Sequence, residues 1–129
     1  AFLAMLDLDN FKPANDVYGH SYGDEVLKQI SEIFKKESNE NIKIYRVGGD
    51  EFAILASDIT QNDFLALLRK LKNKVVNFKY EKEVNISFSA GVIEININDK
   101  KRRLSDYYEK ADALMYEAKE QGKSKIVIK

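Results

Sequence analysis

Four acidic residues frame the chemistry available to this chain. Asp7 and Asp9 close the apolar run A-F-L-A-M-L-D-L-D, and Asp50 with Glu51 stand in R-V-G-G-D-E-F between two other apolar stretches. A carboxylate in a strand as apolar as residues 1–8 is costly unless something pairs with it. If the G-G-D-E turn lies beside that strand, the acids meet at one margin of a sheet. Three or four carboxylates repel one another unless a cation offsets them. The ligands on offer are hard oxygens, since the chain has no cysteine and a single histidine, His20. Such a set suits Mg²⁺ or Mn²⁺ rather than zinc. Paired acids, a divalent ion and nearby lysines are the equipment of phosphoryl transfer. Blander readings stand beside this one. G-G-D-E is also a plausible turn with solvated acids. Asp9 or Asn10 could cap the helix that follows, which for Asp9 is the simpler role. His20, among polar turn residues, suits a structural hydrogen bond better than a ligand role.

The elements that must position these residues belong to a chain of 129 residues, which suits one domain. The 21 basic and 21 acidic residues cancel, so no general field draws in nucleic acid and an anionic partner must be held locally. No apolar run approaches the ~20 residues that cross a bilayer, so the domain is not expected to insert into a membrane. The N-terminal run lacks the charged leader and cleavage site of a signal peptide. Its abrupt start suggests a longer parent chain. Without cysteine, disulfides and thiolate metal sites are excluded, which fits a reducing compartment. The expectation is a cytoplasmic domain, whatever anchors its parent.

Residues 1–8 predict a strand buried on both faces and therefore central in its sheet. A short helix near 10–17 has Pro13 in its first turn. G-H-S-Y-G-D then breaks the chain before a helix at about 22–37, where Val26, Leu27, Ile30, Ile33 and Phe34 repeat at helical spacing. Strands at 42–47 and 51–57 flank G-G-D-E, with glycines supplying positive φ at the hairpin. A helix follows at about 61–77. A long strand is expected at about 84–97, in which the alternation of Val84, Ile86, Phe88 and Ala90 slips to Ile93, Ile95 and Ile97; Gly91 at the slip suggests a bulge or bend. A last helix spans about 104–121 with Gly122 placed to end it, and K-I-V-I closes as a short strand. The fold class is α/β (α+β), helices packed on one sheet. K-K-R-R at 100–103 reads as a solvated turn.

Three motifs, D-L-D-N-F-K-x-x-N-D-x-Y-G-H-x-x-G-D at 7–24, R-V-G-G-D-E-F at 46–52 and A-D-A-L-M-Y-E-A-K-E-Q-G-K at 111–123, closely resemble GGDEF domains, the bacterial diguanylate cyclases. S-F-S-A-G-V at 87–92 is similar to a further strand of that family. The resemblance covers essentially the whole chain. It implies a palm-like nucleotidyl-cyclase fold with a central, mostly antiparallel sheet flanked by helices, and the condensation of two GTP into cyclic di-GMP and two pyrophosphates.

The resemblance also implies roles for residues. Asp7, the Leu8 carbonyl, Asp50 and Glu51 would hold Mg²⁺ or Mn²⁺. Asp50 or Glu51 would help deprotonate the attacking 3′-hydroxyl, with the choice between them open. Asn15 and Asp24 would read guanine, whose N1–H and N2–H₂ donors a carboxylate can accept together. Leu27 would line the base pocket, though its spacing equally makes it core. Phe11 and Lys12 would lie under the phosphates at a helix start. Lys119 and Lys123, four apart and thus on one helix face, would neutralise the β- and γ-phosphates; apart from the resemblance they read as lysines favoured near a helix C-terminus.

Each domain would bind one GTP, so the implied enzyme works as a homodimer. The rival expectation is a catalytically silent, GTP-binding regulatory module in a larger signalling protein. Departures from the family pattern carry expectations too. Where many members have the product-inhibition motif R-x-x-D, this chain has N-E-N-I, so Asn39 and Ile42 predict that the site is absent. The family's usual N-terminal helix and D-x-L-T turn are not in these residues, which implies an upstream sensory or dimerising segment and a fragment of weaker activity. Ala14 stands where a larger aliphatic residue is usual and predicts looser local packing.

Overall fold

The computed structural model describes residues 1–96 and 98–129. Its elements run β1 (Phe2–Asp9), α1 (Phe11–Tyr18), α2 (His20–Lys35), β2 (Ile42–Gly48), β3 (Glu51–Ala56), α3 (Gln61–Asn77), β4 (Ser87–Glu94), α4 (Leu104–Glu120) and β5 (Ile126–Ile128). The strands form one sheet in the order β2-β3-β1-β4-β5, antiparallel except where β5 runs parallel to β4. This is an α+β fold with a mostly antiparallel sheet between helices.

β1 is central because it is apolar on both faces. Phe2, Ala4, Leu6 and Leu8 share the core with Val26, Ile30 and Phe34 of α2 and Phe64, Leu68 and Leu71 of α3. Leu3 and Met5, of opposite parity, pack with Tyr107, Ala111 and Met115 of α4. Each of the larger aliphatic and phenyl side chains among them contributes roughly 1.5–3 kcal/mol on burial. Asp7 and Asp9 continue the second parity, so the same alternation that builds the core delivers both acids to the α4 side. Phe52, which follows the acidic turn, is 2% exposed and meets Phe34 edge to face at 5.0 Å. The hairpin is thereby pinned immediately beside its acids. Its tip is the two-residue connection Gly49–Asp50, with Gly49 at φ 51°.

The sheet departs from the sequence reading at β4. The strand begins at Ser87 rather than 84 and ends at Glu94; Ile97 lies outside the described residues. No slip occurs at Gly91, since β1 pairs without interruption from Phe2↔Glu94 to Asp9↔Ser87. Both parities of β4 are apolar because both faces are covered, and this imitates a phase change. Gly91 is needed for a different reason: a Cβ there would collide with the backbone of Ala111 and Met115, so α4 lies directly on it. The sheet's irregularity is instead between Arg46 and Gly48.

The break before α2 is also shorter than the sequence suggested. Gly19 alone, at φ 94°, separates the two helices, and His20 to Gly23 already belong to α2. α3 is capped by Thr60, whose hydroxyl accepts from the Asp63 N–H at 3.1 Å. α4 ends in a Schellman arrangement: the Gly122 N–H donates to Lys119 O at 3.3 Å and the Lys123 N–H to Ala118 O at 3.2 Å, with Gly122 at φ 113°. Ala14 lines a cleft of about 280 Å³ with Pro13, Val17 and Tyr18.

Candidate active site

The C-terminal end of β1 and the tip of the β2–β3 hairpin meet at one end of the sheet. Asp7 is the register partner of Glu51, and the Leu8 N–H donates to Asp50 O at 3.1 Å. Asp7 is mostly buried, with 19% side-chain exposure, and among the described residues its buried Oδ1 has no hydrogen-bond partner. Burial, then the Asp50 charge, raises its pKa from the ordinary 3.8 to about 6; Lys119 opposes this and Glu51 adds to it. Lys119 Nζ lies 3.4 Å from Asp7 Oδ2, 3.1 Å from Asp9 Oδ1 and 3.5 Å from the Leu8 carbonyl oxygen. Burial works against its charge, but the Asp9 hydrogen bond and the Asp7 charge outweigh that and hold its pKa above the usual lysine value.

Asp9 does not cap α1. It is 1% exposed and accepts from Ser89 Oγ, from the Ser124 N–H at 2.8 Å and from Lys119. Asn10, the residue before α1, sits at φ 66° and makes no side-chain cap either; its amide donates to Asn85 O at 3.0 Å. The first turn of α1, with Phe11 half-buried and Lys12 exposed, therefore keeps its leading N–H groups free of a side-chain cap.

α1 and α2 bring Asn15 against Gly23, the residue before Asp24. The Asn15 side chain fills the space where a Cβ of Gly23 would stand, and the ring of Phe11 adjoins it. Asn15 Nδ2 donates to His20 Nδ1 at 3.0 Å, and Asp24 is exposed beside Gly23. His20 therefore makes a local hydrogen bond to a residue of the candidate site. Leu27 is 5% exposed and lies in the core.

Lys123 does not share a helix face with Lys119. The helix has already ended, and Lys123 and Ser124 are both left-handed, at φ 64° and 52°. The helical spacing failed here because Gly122 reverses the chain between the two lysines. At the other end of the molecule, Asn39 and Ile42 have structural tasks: each backbone N–H donates to the other's carbonyl, and Asn39 Oδ1 accepts from the Asn41 and Ile42 N–H groups.

Among the described residues, no three His, Asp or Glu side chains form a ready metal cluster. Asp9 accounts for part of this, because its carboxylate is committed to Ser89, Ser124 and Lys119. The remaining donors still fit a hard divalent cation: the unpartnered Asp7 Oδ1, the Leu8 carbonyl, and Asp50 and Glu51 close enough to raise the Asp7 pKa. That the Lys119 ammonium lies against Asp7 and the Leu8 carbonyl shows that cationic charge is favoured there. Sequence reasoning missed Asp9, Ser89 and Ser124 as a unit. The available signal was two serines, 87 and 89, at alternate positions of a strand buried on both faces.

Comparison with known proteins agrees with this architecture. The family model described as "Diguanylate cyclase, GGDEF domain" matches residues 1–125. The chain is 33% identical over 132 residues to the probable diguanylate cyclase DgcT of Escherichia coli, covering 97% of this chain but 28% of that protein. It superposes on diguanylate cyclase SiaD of Pseudomonas aeruginosa, solved with its activator SiaC, with TM-score 0.88, 33% identity and 99% coverage of this chain against 49% of SiaD. The active GGEEF domain of a Vibrio cholerae diguanylate cyclase gives TM-score 0.86 at 29% identity, covering 98% of this chain and 81% of that one. The chain thus spans about a quarter to a third of the length of the first curated relatives it matches. With its palm-like fold and with a family model running from its first residue to within four of its last, this chain belongs to the GGDEF domain family.

Proposed function

We propose that this domain condenses two GTP molecules into cyclic di-GMP and two pyrophosphates, acting as one half of a homodimer. The observation that carries the reading is the juxtaposition of Asp7 with the Asp50–Glu51 corner, close enough for Asp50 to raise the Asp7 pKa. The proposal that relatives such as DgcT and SiaD share the activity rests on their names and on the common fold.

Asp7, the Leu8 carbonyl, Asp50 and Glu51 would hold Mg²⁺ or Mn²⁺, which when bound offsets the charge of the triphosphate and of the acids. The chain's own residues do the rest. Asp24 accepts from guanine N1–H and N2–H₂, and Asn15 pairs with a remaining group on the base; adenine lacks that donor pair, so Asp24 would be left unpaired against ATP. The uncapped amides at the start of α1, with Phe11 and Lys12, lie under the phosphates. Lys119 and Lys123 offset charge on the β- and γ-phosphates. Asp50 or Glu51 accepts the proton of a 3′-hydroxyl as that oxygen attacks the α-phosphorus of the nucleotide held by the other domain, and pyrophosphate leaves. Beyond their own chain neighbours, no atom of the described residues lies within 4 Å of where a Cβ of Gly48 or Gly49 would be, which leaves room for a nucleotide at the tip.

The test is incubation with GTP and Mg²⁺ over a range of protein concentrations, followed by chromatographic product analysis. Cyclic di-GMP should form at a rate that rises more steeply than linearly with protein below the dimerisation midpoint. Asp50→Ala should lower that rate by roughly 10²–10⁴-fold. GTP binding without product, even when dimerisation is forced, would favour the silent regulatory module.

A further inference from the structure

We infer that Asp9 is a positioning residue for the triphosphate: it holds Lys119 and the turn bearing Lys123 where the two lysines can meet the β- and γ-phosphates. This rests on the cyclase reading above and adds to it a residue that touches neither substrate nor reacting atoms.

A carboxylate 1% exposed is unfavourable unless its charge and both oxygens are satisfied. Asp9 meets that condition completely. Oδ1 accepts from Lys119 at 3.1 Å and Oδ2 from the Ser124 N–H at 2.8 Å, and the single Ser89 hydroxyl proton is shared between them, with Oγ 3.0 Å from Oδ1 and 2.8 Å from Oδ2. One side chain thus joins the end of β1, the middle of β4, the last turn of α4 and the turn into β5.

Two consequences bear on the phosphates. First, the Lys119 ammonium is shared between Asp9 and the pair formed by Asp7 and the Leu8 carbonyl. Without the Asp9 charge, Asp7 would be its one remaining anion among these contacts, and the ammonium would settle on the groups assigned to the divalent ion. Asp9 keeps it partly off them. Second, Lys123 and Ser124 are consecutive non-glycine residues in the left-handed region, a conformation that needs an external hold. The Ser124 N–H to Asp9 supplies that hold from below. The Ser87 Oγ to Ser124 Oγ contact at 2.6 Å and the Lys72 donation to Ser124 O at 2.8 Å steady the same turn.

The test compares equilibrium binding of the α,β-methylene analogue of GTP with that of GMP, both with Mg²⁺, to the protein and to Asp9→Asn, alongside thermal unfolding. Asparagine keeps the shape and an acceptor for Ser124 but removes the negative charge that faces Lys119. The analogue should bind about tenfold more weakly, the loss expected of a charge-assisted contact, while GMP changes by less than about twofold on the same scale. Equal affinities for the variant and the original, or parallel losses for both ligands, would overturn the inference, because a purely structural Asp9 scales both together. Should Asp9→Asn not fold, Ser89→Ala removes the one hydroxyl donor shared by both Asp9 oxygens while leaving the charge of Asp9. It should shift the analogue-to-GMP ratio in the same direction by about threefold, and an unchanged ratio overturns the inference. An original protein that does not prefer the analogue over GMP defeats the cyclase reading itself.

Discussion

Asp7 makes the metal-free protein less stable than it needs to be, and Asp7→Asn should reveal this. Its carboxyl titrates at about 6 instead of the ordinary 3.8, because burial and the neighbouring Asp50 charge disfavour the anion. The native state therefore binds this proton more tightly than the unfolded state does. Between about pH 4 and pH 6 the unfolded chain carries fewer protons at this site, so stability falls as pH rises and is lowest above pH 6. At 1.36 kcal/mol per pH unit the gap amounts to about 3 kcal/mol at most. Asp7 keeps 19% side-chain exposure, so solvent screens part of this, and about 1–3 kcal/mol is the expected penalty. Asparagine keeps an acceptor for Lys119 and can turn its amide toward Asp50 or Glu51. In buffer with EDTA at pH 8, Asp7→Asn should raise the melting temperature by roughly 4–12 °C, while at pH 4 it should make little difference. Product formation should be lost in the same variant, and added Mg²⁺ should stabilise the original protein but not the variant. A variant no more stable at pH 8 than the original, or a gain equal at both pH values, would refute the electrostatic argument.

Three further outcomes are expected. Asp24→Asn should weaken GTP binding by about 10–100-fold and narrow the preference over ATP, as read by competition with each nucleotide. Gly91→Ala should destabilise the fold by about 2–4 kcal/mol in a urea titration, because the added methyl group meets α4 backbone that cannot give way as a flexible side chain could. Titration calorimetry of cyclic di-GMP into Asp50→Ala should show no tight site, since Asn39 and Ile42 are occupied with their own turn and Ile42 is 9% exposed; tight binding in that variant would contradict it.

The central strand, the hairpin and the apolar faces of the helices were legible because each depends on side-chain period alone. β1 shows this best: the alternation that sends Leu6 and Leu8 to one layer commits Asp7 and Asp9 to the other, so the placing of the acids follows from the placing of the core. What was not legible depends on contacts between distant segments. Asp9 looked like a helix cap because Asn10 and α1 come next in sequence, yet its partners lie 80, 110 and 115 residues away. Gly91 looked like a bulge because no local pattern announces a helix resting on a strand. Lys119 and Lys123 looked like neighbours on one face because spacing ignores the reversal that Gly122 introduces. In each case the missed feature lies at or next to the acidic end of the sheet or its supporting helix. That clustering has a physical cause. A site that concentrates charge must set aside local preference: an aspartate is buried where a strand would take an aliphatic residue, two non-glycine residues are held left-handed, and a lysine is drawn inward to meet three oxygens. Period predicts the frame, and the departures from period mark the residues that the frame was built to hold.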